Sequence, residues 1–181
     1  MRDYTKQMLC ETLKEMMRSI TIQKIRVSDI CKACNIERST FYYHFKDKYD
    51  LVTYIYLQDV KDLDNTDYKE AAIGLARMRE NISFYRNAYK DFPDNTFLKY
   101  LREYYFSDFL SRIEKRVDQG NVTDEVKLQL RLYLTGSTIM SMKWIMEPQR
   151  MTAFEFAREI YDAMPAKVKA VIGFKEIDNM K

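Results

Sequence analysis

Residues 28–48 read SDICKACNIERSTFYYHFKDK and contain two short helical patterns separated by an asparagine. Ser28 belongs to the residue types that cap helices, and Asp29 is favourable at the positive end of a helix dipole, so a first helix is predicted to begin here. Asn35 tolerates the left-handed backbone conformation that a tight turn requires. A second helix is predicted over 37–44. Two short helices joined by a tight turn form a helix-turn-helix.

The second helix of this motif has two chemically different faces. Phe41 and Phe45 are four residues apart, so they share one face, which we expect to be buried. The opposite face carries a cation, a hydroxyl group and two phenol rings, from Arg38, Ser39, Tyr42 and Tyr43. An exposed face of this kind suits the major groove of DNA, where arginine pairs with guanine and hydroxyl groups reach phosphate oxygens.

The rest of the chain predicts an all-α protein. Only 4 Gly and 3 Pro occur in 181 residues, too few for the turns of a barrel or sandwich. The hydrophobic fraction of 46% excludes disorder as a description of the whole chain. Helical periodicity predicts further helices on both sides of the motif. The first of them carries Leu9, Leu13, Met16 and Ile20 on one face, and the others cover approximately 48–63, 68–90, 96–118, 123–146, 153–164 and 166–174.

Several residues mark the predicted ends of these helices. Asp47 is the expected cap of the helix that begins at residue 48. Gly120 and Asn121 form a plausible C-cap of the helix over 96–118. Thr152, with Glu155 three residues later, predicts a capping box at the start of the helix over 153–164.

Charge is concentrated at the start of the chain. The formal net charge is +3, and residues 1–50 account for all of it, with 10 Lys and Arg against 7 Asp and Glu. A charged partner is therefore expected to dock on this segment, where the helix-turn-helix lies. No stretch is long and apolar enough for a membrane span, and the first residues do not resemble a signal peptide, so we expect a cytoplasmic protein.

Nothing in the sequence proposes an enzyme or a cofactor. Cys31 and Cys34 have the spacing of zinc and redox motifs, but a zinc site needs four ligands and only Cys10 and His44 remain. We interpret both cysteines as small packing residues, with metal binding or redox sensing as the alternative. His44 is the single histidine, and it has no acidic partner in register for catalysis. No glycine-rich phosphate loop is present.

The run over residues 40–48, TFYYHFKDK, resembles the recognition helix and the following helix start of the TetR family of bacterial transcription regulators. This resemblance implies that a group of side chains holds the DNA phosphates, namely Ser28, Thr40, Tyr42, Tyr43, His44 and Lys48. It also implies that Arg38 and Ser39 read the bases. The family usually has Gly where Asn35 stands. The alternative for Tyr42 and Tyr43 is that they cover a domain interface.

The resemblance also implies the organisation of the whole chain. A three-helix helix-turn-helix DNA-binding domain covers residues 1–50, with a connecting helix over 48–63. A larger helical effector-binding and dimerisation domain covers 66–181. The expected function is that of a ligand-responsive repressor, which binds a palindromic operator in double-stranded DNA as a homodimer and is released by a small apolar or aromatic effector. The alternative is a helix-turn-helix regulator that has no small ligand and acts through protein partners.

Two groups of residues in the second domain are candidates for these roles. Adaptable apolar side chains that could line an effector pocket are Tyr85, Tyr105, Phe109, Met140 and Trp144. Small residues around Gly136 allow close approach of another helix, and the resemblance places this patch in the dimer interface. The candidate interface residues are Gly136, Ser137, Phe154, Ala157 and Tyr161. A packed core and an intramolecular helix contact are the alternatives for the two groups.

Overall fold

The computed structural model describes residues 2–63, 67–90, 96–117, 122–148 and 150–173. Within these ranges all regular structure is helical, which confirms the all-α fold class. The helices are α1 Arg2–Met16, α2 Val27–Ala33, α3 Arg38–His44, α4 Lys48–Val60, α5 Tyr68–Glu80, α6 Ile82–Tyr89, α7 Thr96–Arg116, α8 Asp124–Met146, α9 Ala153–Asp162 and α10 Ala166–Ile172. A short 3-10 segment, Ile22–Lys24, lies between α1 and α2. None of the helices in these ranges is long and apolar enough to cross a membrane.

The chain folds into two compact units. The first unit contains residues 1–61 together with 78–100, and the second contains 62–77 together with 101–181. The helix-turn-helix, formed by α2 and α3, belongs to the first unit, and so does α6. The functional division into 1–50 and 66–181 stays a prediction.

Apolar residues of α1 and an aromatic group together hold the first unit. Leu9 and Leu13 of α1 and Met17, the residue that follows the helix, are completely buried, because apolar residues repeat every four positions here. Aromatic rings of α4, α6 and α7 pack against one another. They belong to Tyr56, Tyr85, Tyr89 and Phe97. Polar contacts accompany them. The Tyr85 hydroxyl donates to Asp59 at 2.6 Å, and Lys14 forms an ion pair with the same carboxylate at 3.0 Å.

The second unit is built around α7, α8 and α10. Its central apolar cluster includes Phe109, Ile113, Leu130, Leu134, Met164, Val168 and Ile172. Two of the larger polar side chains of this unit donate hydrogen bonds to backbone carbonyls. The Tyr133 hydroxyl donates to the carbonyl of Ile160 at 3.1 Å, and burial raises the pKa of this phenol above its ordinary value. The Trp144 indole nitrogen donates to the carbonyl of Met151 at 3.2 Å.

Three predicted features of the helices are wrong. The first helix ends at Met16, so Ile20, which was expected on its apolar face, is 39% exposed. The helix expected over 68–90 consists of α5 and α6, because the backbone at Asn81 leaves the helical region. Ser28 is not the cap of α2, which begins one residue earlier. Arg26 is the cap residue, and its backbone N–H donates to Asp29 at 2.9 Å, so the Asp29 carboxylate stabilises the helix start from inside the first turn.

Other predicted helix ends are confirmed. The Asp47 carboxylate accepts from the backbone N–H groups of Tyr49 and Asp50, each at 2.9 Å. Thr152 and Glu155 form the expected capping box at the start of α9. The predicted C-cap at 120–121 lies outside the described residues.

Candidate nucleic-acid interface

The turn between α2 and α3 has the geometry that the sequence predicts. Asn35 has a φ of 52°, in the left-handed region, and is the non-glycine residue with positive φ in the described part of the chain. The backbone N–H of Ile36 donates to the carbonyl of Cys31 at 3.0 Å, and that of Asn35 donates to Lys32 at 3.2 Å. These bonds close α2 and allow the chain to reverse direction into α3.

Buried phenylalanines fix the inner face of α3. Phe41 is 0% exposed and Phe45 is 3% exposed, as the helical spacing predicts. Their ring centroids lie 6.0 Å apart, and the Phe45 ring also contacts Tyr54 of α4 edge-on at 5.3 Å. The packing of these rings determines which side of α3 faces the solvent.

The opposite face of α3 is open to solvent. Tyr42 is 50% exposed and Tyr43 is 62% exposed, and Arg38 and Ser39 are exposed as well. The guanidinium of Arg38 lies over the Tyr42 ring at 6.0 Å from its centroid, one helical turn away. This stacking restrains the arginine while leaving its planar donor groups at the start of the helix.

The four remaining predicted phosphate ligands lie on α2, α3 and α4. Thr40 and His44 are half-buried on α3, and the Tyr43 and His44 rings meet edge-on at 5.0 Å. Ser28 is exposed in the first turn of α2. Lys48 is the first residue of α4, and its ammonium donates to three backbone carbonyls of the segment between α1 and α2.

Further cations surround the motif and were not singled out by the sequence patterns. Lys24, Arg26, Lys32 and Lys46 all expose their side chains. Their signal in the sequence is the excess of positive charge in residues 1–50 rather than a motif. Such cations add sequence-independent attraction to the phosphate backbone.

Cys31 of α2 and Cys34, the residue that caps its end, have the environment of packing residues. Cys31 is 3% exposed and Cys34 is 9% exposed, and the Cys34 thiol lies 3.1 Å from the Thr12 hydroxyl. Burial raises the pKa of the Cys31 thiol above its ordinary value, and it raises that of Cys10 to about 11. Metal binding and oxidation require the thiolate, so these environments disfavour both. No group of three potential metal ligands lies together within the described ranges.

The five candidate effector residues do not share one environment. Tyr85 belongs to the first unit, where it is 0% exposed, and the other four belong to the second. Trp144 is buried and stacked on Phe156 with ring centroids 5.5 Å apart. Phe109 is part of the apolar cluster, and Tyr105 packs against that cluster. Met140 is 47% exposed on the surface of α8.

The candidate interface residues divide into exposed and buried positions. Gly136 is exposed, and no atom lies within 4 Å of the place where a Cβ would stand. Phe154 is 44% exposed. Ala157 and Tyr161 are buried within the second unit, and the Ser137 hydroxyl donates to the carbonyl of Leu134 at 3.2 Å.

Two residues of α8 that the sequence patterns did not single out belong to the same exposed face as Gly136. Leu128 is 59% exposed and Leu132 is 65% exposed. Together with Gly136 and Met140 they repeat every four residues, so they form one stripe along the helix, which we call the α8 stripe. The repeat of leucines at this spacing was the available signal.

Taken together, the tight turn, the buried phenylalanines and the exposed polar face define a helix-turn-helix, a motif by which proteins bind DNA. Residues 22–55 match the family model described as bacterial regulatory proteins, tetR family. Through this segment the chain is similar to the TetR family of transcriptional regulators.

Known relatives agree with this assignment. The HTH-type dhaKLM operon transcriptional activator DhaS of Lactococcus lactis subsp. lactis (strain IL1403) is 32% identical over 91 residues, which are 47% of this chain and 49% of that protein. The alignment therefore spans about half the length of the curated relative.

Two solved structures share the fold. One is a dihydroxyacetone kinase operon activator DhaS, with a TM-score of 0.57, 20% identity and coverage of 95% of this chain and 98% of the other. The second is a tetR-family transcriptional regulator from Streptomyces coelicolor, with a TM-score of 0.53, 13% identity and coverage of 97% and 91%.

Proposed function

We propose that this protein is a transcriptional regulator that binds a palindromic operator as a homodimer. The exposed face of α3 is the observation that carries the proposal. Its buried phenylalanines direct Arg38, Ser39, Tyr42 and Tyr43 to solvent, on a helix short enough to lie in the major groove. Two copies of α3 must then lie about 34–36 Å apart, or a multiple of this, to reach successive grooves on one side of the duplex.

The residues of the motif divide into readers of bases and ligands of phosphates. Arg38 and Ser39, at the start of α3, read base edges, and the arginine fork fits the two acceptors of guanine. Phosphate contacts come from the neighbouring hydroxyl and ring groups, namely Ser28, Thr40, Tyr42, Tyr43 and His44. The exposed cations around the motif add attraction that depends on salt concentration.

The α8 stripe supports the homodimer. Leucine and methionine side chains that are 47–65% exposed would gain free energy if another apolar surface covered them. The open space at Gly136 lets a second helix approach its backbone closely. Phe154 of α9 is a further exposed apolar side chain that a second copy could cover, whereas Ala157 and Tyr161 are buried within the unit.

Regulation by a small apolar or aromatic effector remains part of the proposal, with the second unit as its site. Effector binding would favour a spacing of the two α3 helices that no longer fits the operator. The alternative, regulation through protein partners, is favoured by the packing of Trp144 and Phe109, which an effector would have to displace. Thermal unfolding with and without a library of aromatic ligands separates the two.

The sign of regulation has two candidates. The resemblance to the family favours a repressor, and the printed name of the relative from Lactococcus lactis, an activator, favours activation. Transcription from a promoter next to the bound operator decides between them. Higher expression in a strain without the protein indicates repression, and lower expression indicates activation.

Selection of duplexes from a randomised library, at about physiological salt, tests DNA recognition directly. We expect enrichment of a palindrome whose half-sites lie about one helical turn apart. Arg38→Ala should relax the preference at one base position of each half-site, by about 1–3 kcal/mol. Tyr43→Ala is the matched control, because loss of a phosphate ligand weakens binding to every sequence alike. A folded, dimeric protein that enriches no sequence in any preparation would contradict the proposal.

A further inference from the structure

The ammonium group of Lys48 donates three hydrogen bonds to the backbone of one segment, and it also lies over the Tyr49 ring at 5.3 Å from the ring centroid. Its Nζ atom lies 2.7 Å from the carbonyl oxygen of Ile22, 3.1 Å from that of Gln23 and 2.8 Å from that of Ile25. A lysine ammonium has three N–H groups and no acceptor, so these three carbonyls use its whole capacity to donate. The partners come from residues 23–26 positions earlier in the chain.

The segment that accepts these bonds is short and irregular. It contains the 3-10 segment Ile22–Lys24, and its side chains Ile22 and Ile25 are each 1% exposed. The Ile22 carbonyl also accepts from the backbone N–H of Ile25 at 3.2 Å within the turn. The last carbonyl groups of a short helical turn need donors from outside it, and a cation at that end also interacts favourably with the turn dipole. Lys48 supplies both the donors and the charge.

The position of Lys48 at the start of its own helix is unfavourable for a cation, so the contacts with the carbonyls must compensate for it. It is the first residue of α4, where the helix dipole disfavours a cation. Burial lowers the pKa of its ammonium from the ordinary value, and the neighbouring Asp47 charge acts in the opposite direction. The three carbonyls compensate for the loss of water around the charge. A phosphate could bind this ammonium only by taking a donor away from one of them.

We propose that Lys48 is a positioning residue for DNA recognition and not a phosphate ligand. It fixes the 3-10 segment to the start of α4, and the 3-10 segment leads directly into α2. Lys24, Arg26 and Ser28, which are exposed on or just after this segment, are the groups that it holds in place. This inference rests on the proposed function, and it changes the role that the family resemblance implies for Lys48.

Two substitutions of Lys48 distinguish the two roles. Lys48→Met keeps most of the side-chain length and removes the donors. Lys48→Arg keeps the charge, but its planar fork cannot place three donors on three converging carbonyls. Lys46→Met is the matched control, because Lys46 is an exposed lysine two residues away. The measurements are operator affinity as a function of salt concentration, and amide hydrogen exchange of the protein without DNA.

We expect Lys48→Met and Lys48→Arg to behave alike. Exchange over residues 22–27 should become about tenfold faster or more in both, because bonds to a charged donor are lost. Operator affinity should fall for all sequences, and the slope of log affinity against log salt should stay that of the wild type. Lys46→Met should leave exchange over 22–27 unchanged. Unfolding of the Lys48→Met protein would also support the proposal, since losing a phosphate ligand leaves the free protein intact.

The proposal is overturned if Lys48→Arg restores both affinity and salt dependence while Lys48→Met lowers the slope by about 0.9, the value for one phosphate contact. Unchanged hydrogen exchange over 22–27 in both Lys48 variants would overturn it as well. A wild-type protein that binds no duplex would contradict the proposed function instead. The exchange experiment, which needs no DNA, would still decide the role of Lys48.

Discussion

Two exposed helix faces of this chain differ in their chemistry. The outer face of α3 carries a guanidinium, a hydroxyl group and two phenol rings that are 50–62% exposed. The α8 stripe carries leucine and methionine side chains that are 47–65% exposed, on either side of a glycine. Both faces are solvent-accessible in the single chain, and they belong to different compact units.

The difference shows what each face requires of a partner. The groups on α3 hydrogen-bond to water in the free protein and exchange that water for bases and phosphates, so this face is stable when exposed. The side chains of the α8 stripe have no such exchange to make, and covering them is favourable by about 25 cal/mol for each Å² removed from water. Substitutions on α3 should therefore change DNA binding, and those on α8 should change association.

The largest expected effect comes from the inner side of α3. Phe41→Ala should lower the free energy of unfolding by about 3–5 kcal/mol, because a fully buried ring leaves a cavity between α3 and its neighbours. Tyr42→Ala, one residue further on the exposed side, should change stability by only about 0.5 kcal/mol while it weakens operator binding. Urea unfolding of both variants measures the difference. Equal destabilisation would show that the exposed face of α3 is also part of the core.

A charge in the α8 stripe is the next test. Leu132→Arg should weaken association by about 2 kcal/mol or more, the loss typical of a central interface residue, and give a monomer at micromolar concentration. Ile73→Arg is the control, since Ile73 is 47% exposed on α5 and lies outside the stripe. Sedimentation equilibrium measures the mass of each variant. If Leu132→Arg keeps the mass of the wild type, the stripe is not the subunit interface.

Gly136→Ala should be favourable in a single chain and unfavourable in a dimer. Within a single chain the new methyl group meets open space, and replacing a glycine inside a helix gains about 1 kcal/mol of stability. In a dimer with a second helix close to this backbone, the same methyl group hinders association. We expect higher unfolding stability when the substitution is made in the Leu132→Arg monomer, and weaker association when it is made in the wild type. Stronger association would exclude close helix packing at Gly136.

The helix-turn-helix could be predicted from the sequence because its determinants are local. Asn35 at the turn, Asp47 at the start of α4 and the four-residue spacing of Phe41 and Phe45 each act within one or two helical turns. The same reasoning located the capping box of α9. One helix end could not be predicted in this way. The apolar repeat continues across Asn81, so periodicity alone did not show the end of α5.

The roles of individual polar groups depended on contacts far apart in the sequence. The place of Lys48 in the sequence motif is that of a phosphate ligand. Its hydrogen-bond partners are carbonyls that precede α2, more than 20 residues earlier in the sequence. Tyr85 is of a residue type that often lines pockets. Its hydroxyl group donates a hydrogen bond to a carboxylate that lies 26 residues earlier in the sequence. Neither pairing leaves a signal in spacing or periodicity, because each depends on how helices pack in three dimensions.

The smallest expected effect concerns the pH dependence of stability, and it follows from a comparison of the starts of α4 and α9. At the start of α4 the Asp47 side chain caps the helix, and the Asp50 carboxylate accepts from the backbone N–H of Lys46, the residue before the cap. At α9 the box is reciprocal, because the Glu155 carboxylate accepts from the backbone N–H of the cap residue Thr152 at 2.8 Å and from its hydroxyl at 2.9 Å. These bonds lower the pKa of Glu155 below its ordinary value. A lowered pKa means that the ionised form is favoured by folding, so this stabilisation is present above the ordinary pKa of the carboxyl group and is lost as the pH falls through the lowered one.

Glu155→Gln should therefore make stability less dependent on pH below about 5, while it keeps most of the helix start. Glutamine retains a carbonyl oxygen that can accept from the Thr152 N–H, but it does not titrate. The effect should be small, since the Glu155 side chain is exposed and water competes for its oxygens. Glu159→Gln, on the same helix and outside the box, controls for the loss of one surface carboxylate. Thermal unfolding from pH 7 to pH 3 measures all three proteins, and identical slopes for wild type and Glu155→Gln would show that the charge of Glu155 adds nothing to the stability of this helix start.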